Sequence, residues 1–214
     1  RKTPSKLEDR LIQVPDGKIE PDFVWRTLES ITWPACESRK NVTPDKATYI
    51  LAFPMGMVLN YCRGLMCSRT LSIFPNLAKV LTRFINEEKV DFKYTTIQLN
   101  RNYAAKMHVD GNNHGPSFII ALGEFTGGEL WVLDKEDWFG ECKQKDDHIL
   151  EVTDSMTGWK QLTPGTKVKG KVISIHNKWF RFDGTIPHYV MPFEGNRLSI
   201  VYFTRSRYLT LDPG

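Results

Sequence analysis

A small set of residues in this 214-residue chain could do metal chemistry. His108 and Asp110 flank Val109, His188 lies far downstream, and Arg197 and Ser199 flank Leu198 shortly after it. In an extended segment, side chains two positions apart point the same way, so His108 and Asp110 can reach one ion while Val109 faces away. Two imidazoles and one carboxylate can occupy one face of a metal ion and leave the opposite positions open. A lone His-x-Asp is weak evidence in a chain with five histidines, because a surface histidine beside a turn aspartate gives the same pattern.

The C-terminal run strengthens the case. His188 sits in Ile186-Pro187-His188-Tyr189-Val190, which reads as a turn entering a strand. Arg197 follows across Glu194-Gly195, and the two strands are expected as neighbours in a hairpin. Between Arg197 and Thr204, one face carries Arg197, Ser199, Val201 and Phe203, and the other carries Leu198, Ile200 and Tyr202. Arg197 and Ser199 therefore point together into the interior. A buried arginine without an acid partner is costly, so an anion should meet it. A guanidinium forks onto a carboxylate, and a hydroxyl two residues on adds a hydrogen bond. The competing explanation is a surface pair between Arg197 and Glu194 or another acid.

These residues need a rigid frame, and the pattern supplies one. Pro21 opens a helix whose Val24, Trp25, Leu28 and Ile31 share a face, ended by Trp33-Pro34. After Pro75, Leu77, Val80, Leu81, Phe84 and Ile85 recur at three- and four-residue steps, which predicts an amphipathic helix buttressing a sheet. From residue 94 the signal turns to short strands: Tyr94 to Asn100, Ser117 to Leu122, Glu129 to Leu133, Val168 to His176, Trp179 to Phe182, His188 to Met191 and Arg197 to Thr204. Turn pairs such as Gly111-Asn112, Gly127-Gly128 and Asp183-Gly184 separate them. The fold expected is mainly β with flanking helices (α+β), built as a sandwich or jelly roll. One domain is expected over 1–214. Residues 1–93 form a helical, turn-rich buttress and 94–214 the β core, interrupted by an acidic insertion at about 134–154.

Composition excludes several classes. Apolar residues at 41% and mixed charges at 25% describe a globular chain rather than a disordered or membrane-embedded one. A net charge of +4 is too small by itself to argue for nucleic acid. The cysteines at 36, 62, 67 and 142 form no CxxC and sit beside no histidine at zinc-finger spacing. Scattered thiols fit a reducing, intracellular compartment better than a disulfide framework. No stretch reaches the length of a membrane span, and Asn41-Val42-Thr43 is read as an unmodified chance sequon.

The ordered set of His-x-Asp, a distal His and Arg-x-Ser resembles the Fe(II)- and 2-oxoglutarate-dependent dioxygenases over roughly Tyr94 to Thr204. The resemblance implies a double-stranded β-helix, a jelly-roll variant, with His108, Asp110 and His188 as iron ligands. It implies that Arg197, assisted by Ser199, binds the distal carboxylate of 2-oxoglutarate, and that O2 is consumed as succinate and carbon dioxide are released. Ascorbate is a further candidate whose need stays open. Asn100 and Asn102 are candidates for touching 2-oxoglutarate or orienting the metal loop, with turn capping as the alternative.

Within that superfamily, the stretches Ile97 to Asn102, His108 to Asn113, Gly127 to Leu130 and Pro192 to Arg197 look like the TET/JBP branch, which oxidises the methyl group of 5-methylcytosine or thymine in DNA. That resemblance implies DNA (or RNA) as partner and nuclear localisation if DNA is the substrate; no obligate protein partner is evident in the sequence. Asn112, Asn113, His114 and Tyr103 are the candidate substrate contacts, and Trp131, Trp179 and Phe180 are candidate stacking rings that core packing would explain equally. Lys167, Lys169 and Lys171 suggest a basic stripe for phosphates or an ordinary solvated strand edge. Two other readings compete: the same centre acting on a protein side chain or small metabolite, and a non-catalytic jelly-roll binding module. The presence of all the expected metal and co-substrate residues argues against the latter.

Overall fold

A computed structural model describes residues 3–60, 62–88 and 91–207. Four helices are described: α1 (Lys6–Arg10), α2 (Pro21–Ser30), α3 (Arg69–Ile73) and α4 (Pro75–Glu87). The strands begin with β1 (Ala35–Cys36), β2 (Ile50–Asn60), β3 (Gly64–Cys67) and β4 (Thr96–Arg101). They continue with β5 (Asn113–Gly127), β6 (Leu130–Leu133), β7 (Asp147–Glu151), β8 (Lys167–Ile173), β9 (Phe180–Phe182), β10 (His188–Val190) and β11 (Phe193–Arg205).

Two antiparallel sheets result. The larger runs β1-β2-β4-β11-β5-β9, with β3 paired to β2, and the smaller runs β10-β6-β8-β7. From β4 onward the chain crosses repeatedly between them: β4 and β5 in the larger, β6 and β8 in the smaller, β9 back in the larger, β10 in the smaller and β11 in the larger. That alternation is a jelly roll, the architecture expected from the strand pattern.

Period-two alternation gives each sheet face its task. Ile97 and Leu99 of β4, Ile120 and Leu122 of β5, and Leu198, Ile200 and Tyr202 of β11 join Val24, Leu28, Leu77, Val80, Leu81, Phe84 and Ile85 of the helices in one buried cluster. The helices thus cover the outer face of the larger sheet, and the Tyr202 hydroxyl donates to Leu81 O at 2.7 Å. The intervening residues, among them Gln98, Asn100, Ile119, Arg197, Ser199 and Val201, face the space between the sheets. Helix α2 stops at Ser30, one residue before Ile31, and the Trp33 indole donates to Leu28 O at 2.7 Å across its end.

Three expectations change. Strands β10 and β11 are not hairpin partners: β10 pairs with β6, and β11 lies between β4 and β5 in the other sheet. Glu194-Gly195 is no turn, because both residues pair within β11, opposite Thr126 and Phe125. His188 and Arg197 therefore face each other across the two sheets. Second, residues 1–93 are more than a helical buttress, since β1, β2 and β3 extend the larger sheet. Pro54 and Gly56 interrupt β2 and hide it from a periodicity reading. Third, part of the acidic segment is strand β7, laid against β8 with Asp147 opposite Lys171 and Glu151 opposite Lys167.

Candidate metal centre

His108 and His188 are joined by an isolated antiparallel bridge in which each N–H donates to the other's carbonyl at 3.0 Å. The bridge sets the two rings 4.2 Å apart, centroid to centroid. Asp110 donates its N–H to Gly184 O at 2.8 Å, which fixes the carboxylate beside both rings. Its Oδ1 lies 3.9 Å from His108 Nε2 and its Oδ2 lies 3.7 Å from His188 Nε2. Donors that each sit about 2 Å from one ion at right angles are about 3 Å apart, so small side-chain shifts would bring these pairs onto a shared cation. Among the described residues this is the group whose ligand atoms converge, all within 4.8 Å of one another. Two imidazoles and one carboxylate are the donor set from which a facial triad can be built.

The ring orientations are enforced from behind. His108 Nδ1 lies 2.6 Å from Lys106 O, and His188 Nδ1 lies 2.9 Å from Ile186 O. A carbonyl only accepts, so each Nδ1 carries a proton and each Nε2 faces the centre. Burial, with the facing His188 second, pushes His108 down to about 3, which keeps that ring neutral. Burial alone would raise Asp110, but His108, His188, Arg39 and Arg205 outweigh it and hold the carboxyl below the usual range. A neutral imidazole and an ionised carboxylate are the protonation states that bind metal.

Across the cavity, Arg197 is 2% exposed and makes no ion pair among the described residues. Its Nε donates to Gly128 O at 3.2 Å, and its Cζ lies 5.6 Å and 5.5 Å from the Phe125 and Phe193 ring centroids. Its Nη2 is buried and has no partner. Among the described residues the surface pairing with Glu194 is therefore absent, and the guanidinium is a buried cation with no acid partner. Ser199, 4% exposed, accepts from Asn100 Nδ2 at 3.2 Å, so its own proton is available to an acceptor in the cavity. Asn100 Oδ1 in turn receives the Tyr103 hydroxyl at 2.7 Å and Arg39 Nη1 at 3.5 Å.

Triad, arginine and serine line one cavity of about 430 Å³ between the sheets, large enough for a small acid beside a substrate group. Asn100, Tyr103, Asn112 and Asn113 also line it. His114 is exposed and lies outside the lining, and Asn102 lies behind it, bonded to the main chain of Arg197. Trp131 is fully buried, and Trp179 packs on Phe84 and Tyr202 beneath the helices, so neither can stack on a ligand. Phe180 is partly buried against the inter-sheet core. The lysine stripe is interrupted at its centre: Lys169 is 4% exposed and pairs with Asp137 and, at 3.5 Å, with Asp134. Its strand lies inside the smaller sheet, not at an edge.

Sequence reasoning missed Arg39, Asn41 and Gln98, all of which line the cavity. Gln98 shares its strand face with Asn100 and was legible by alternation; Arg39 and Asn41 come from an irregular loop that carries no periodic signal.

No protein-family model matches the chain. No curated protein matches it. Among solved structures it is similar to NgTET1 in complex with 5mC DNA, at 16% identity and TM-score 0.39, covering 72% of this chain and 61% of that one. It is also similar to an oxidoreductase of the 2OG-Fe(II) oxygenase family from Burkholderia pseudomallei, at 17% identity and TM-score 0.44, covering 80% of this chain and 71% of that one. The chain thus spans less than two thirds of the length of NgTET1. What it can bind follows from its own donors.

Proposed function

We propose that this chain is an Fe(II)- and 2-oxoglutarate-dependent dioxygenase that oxidises a methyl group on a nucleic-acid base. The observation that carries the first part is the buried, unpartnered Nη2 of Arg197 in the same cavity as the His108, Asp110 and His188 donor set. A metal alone explains the triad; a dicarboxylate that reaches from metal to guanidinium explains both. Iron with 2-oxoglutarate and O2 supplies the oxidation, with succinate and carbon dioxide as by-products.

The residues around the centre have separable roles. His108, Asp110 and His188 hold the ion on one side and leave its other side to the cavity. Arg197 receives the distal carboxylate, and Ser199 directs its hydroxyl proton to the same group because in its bond to Asn100 Nδ2 it is the acceptor. Phe125 and Phe193 exclude water from the guanidinium, which strengthens its hold on an anion.

The nucleobase rests on the mouth of the cavity. Asn41, Asn112 and Asn113 present amides there, each able to donate and accept as a base edge does, and Arg39 and Arg205 add positive charge. The pairing of Lys169 with Asp134 and Asp137 favours the second reading, a protein side chain or small metabolite, because it takes the middle lysine out of the most evident phosphate track. Succinate release decides between them, measured with Fe(II), 2-oxoglutarate and a panel of 5-methylcytosine DNA, thymine DNA, methylated RNA and peptides. Stimulation by a nucleic acid that fades with salt supports the base reading. Stimulation by peptides alone replaces it, and no succinate under any condition overturns the dioxygenase.

A further inference from the structure

Arg197 occupies the point where the larger sheet loses a partner. The β4–β11 ladder ends with Arg101 opposite Leu198, and one residue later β4 turns away. In an antiparallel strand the N–H and C=O of one residue point to the same side, so both main-chain groups of Arg197 look towards the place β4 has left. Asn102 fills it. Its N–H donates to Arg197 O at 2.9 Å, and its side-chain Oδ1 accepts from Arg197 N at 2.7 Å. The residue achieves this from a left-handed backbone, φ 52°, a conformation that asparagine tolerates better than most side chains. Its remaining amide group donates to Asn196 Oδ1 at 3.2 Å.

This grip lies behind the cavity, while the guanidinium lies within it. With Nε committed to Gly128 O, the arginine can offer only its Nη edge, so a shift of the main chain at Arg197 moves that edge directly. Resting on the co-substrate reading above, we propose that Asn102 is a positioning residue. It touches no ligand, yet it sets the affinity for the distal carboxylate by replacing the missing strand at Arg197.

The test uses the full chain loaded with Mn(II) and calorimetric titration with 2-oxoglutarate and with pyruvate, a 2-oxo acid that lacks the distal carboxylate. Asn102→Gly accepts the left-handed backbone and keeps the main-chain bond, but loses the side-chain acceptor. It should weaken 2-oxoglutarate about 3- to 10-fold, the size of one neutral hydrogen bond, and leave pyruvate unchanged. Asn102→Asp, which keeps the acceptor, should restore 2-oxoglutarate binding, and Asn196→Ala should leave both ligands unaffected. A wild-type protein that binds 2-oxoglutarate no more tightly than pyruvate overturns the co-substrate reading, and this inference falls with it. If the wild type discriminates and Asn102→Gly matches it, or loses both ligands equally, only the positioning role is overturned.

Discussion

Replacing Arg197 by Met should make the ligand-free protein more stable while destroying its response to 2-oxoglutarate. Burial pushes Arg197 from its ordinary 12.5 down to about 10. At about 1.36 kcal/mol for each tenfold change in proton affinity, the fold disfavours the charged form by about 3 kcal/mol. Because the group stays protonated at neutral pH, that cost is present throughout the physiological range. Methionine fills similar space between Phe125 and Phe193 and carries no charge, but it leaves Gly128 O without the Nε donor. The net gain expected is therefore about 1–3 kcal/mol. For a chain of this length that raises Tm by about 2–10 °C. Binding moves the other way: losing a paired, charge-assisted contact costs about 2–5 kcal/mol, or roughly 30- to several-thousand-fold in 2-oxoglutarate affinity. Thermal melts with and without Mn(II) and 2-oxoglutarate read both effects. Lower stability in the ligand-free variant, together with an unchanged 2-oxoglutarate increment, would refute the reasoning, because Arg197 would then be a structural residue.

Three further outcomes follow from named contacts. A Cβ at Gly128, where φ is +71°, would meet Arg197 Nε at 2.8 Å and Cδ at 2.9 Å, so Gly128→Ala should lower 2-oxoglutarate affinity while Mn(II) binding persists, both read by calorimetry. Asp9 is 2% exposed and accepts the N–H groups of Asn76 and Leu77 at 3.0 Å, capping α4 from a distant helix; Asp9→Ala should cost about 1–2 kcal/mol in chemical denaturation. The Ile19 N–H, against some burial and with help from Arg83, holds Glu87 below its ordinary 4.5. A lowered carboxylate stabilises the fold above its ordinary value, and that stabilisation is lost as pH falls through the lowered one. Glu87→Gln should therefore lose less stability than wild type on acidification, measured by melts at a series of pH values.

How much was legible in the sequence depended on whether neighbours along the chain or across it carried the information. Helix α4 was evident because its apolar residues repeat at helical spacing, and the two faces of β11 were evident because Arg197 and Ser199 alternate with Leu198 and Ile200. The triad could be proposed because two of its members, His108 and Asp110, lie two positions apart on one side of an extended segment. What could not be read was pairing. Gly195 looks like a turn residue, yet it lies in a continuous strand at φ 104°, so local sequence points β10 to the wrong partner. Strand β2 was hidden by Pro54 and Gly56. Lys169 looked like surface charge because nothing local shows that Asp134 and Asp137 fold back onto it. Arg39 reaches the cavity from a loop whose position is set by tertiary contacts alone.

The central claim is that His108, Asp110 and His188 hold an iron that works with 2-oxoglutarate. Release of carbon dioxide from 2-oxoglutarate labelled at C1, followed with and without Fe(II) in wild type and Asp110→Ala, tests it most directly. Release should require Fe(II) and disappear in Asp110→Ala while that variant retains the wild-type fold by circular dichroism. No release from wild type, or equal release from Asp110→Ala, would contradict it.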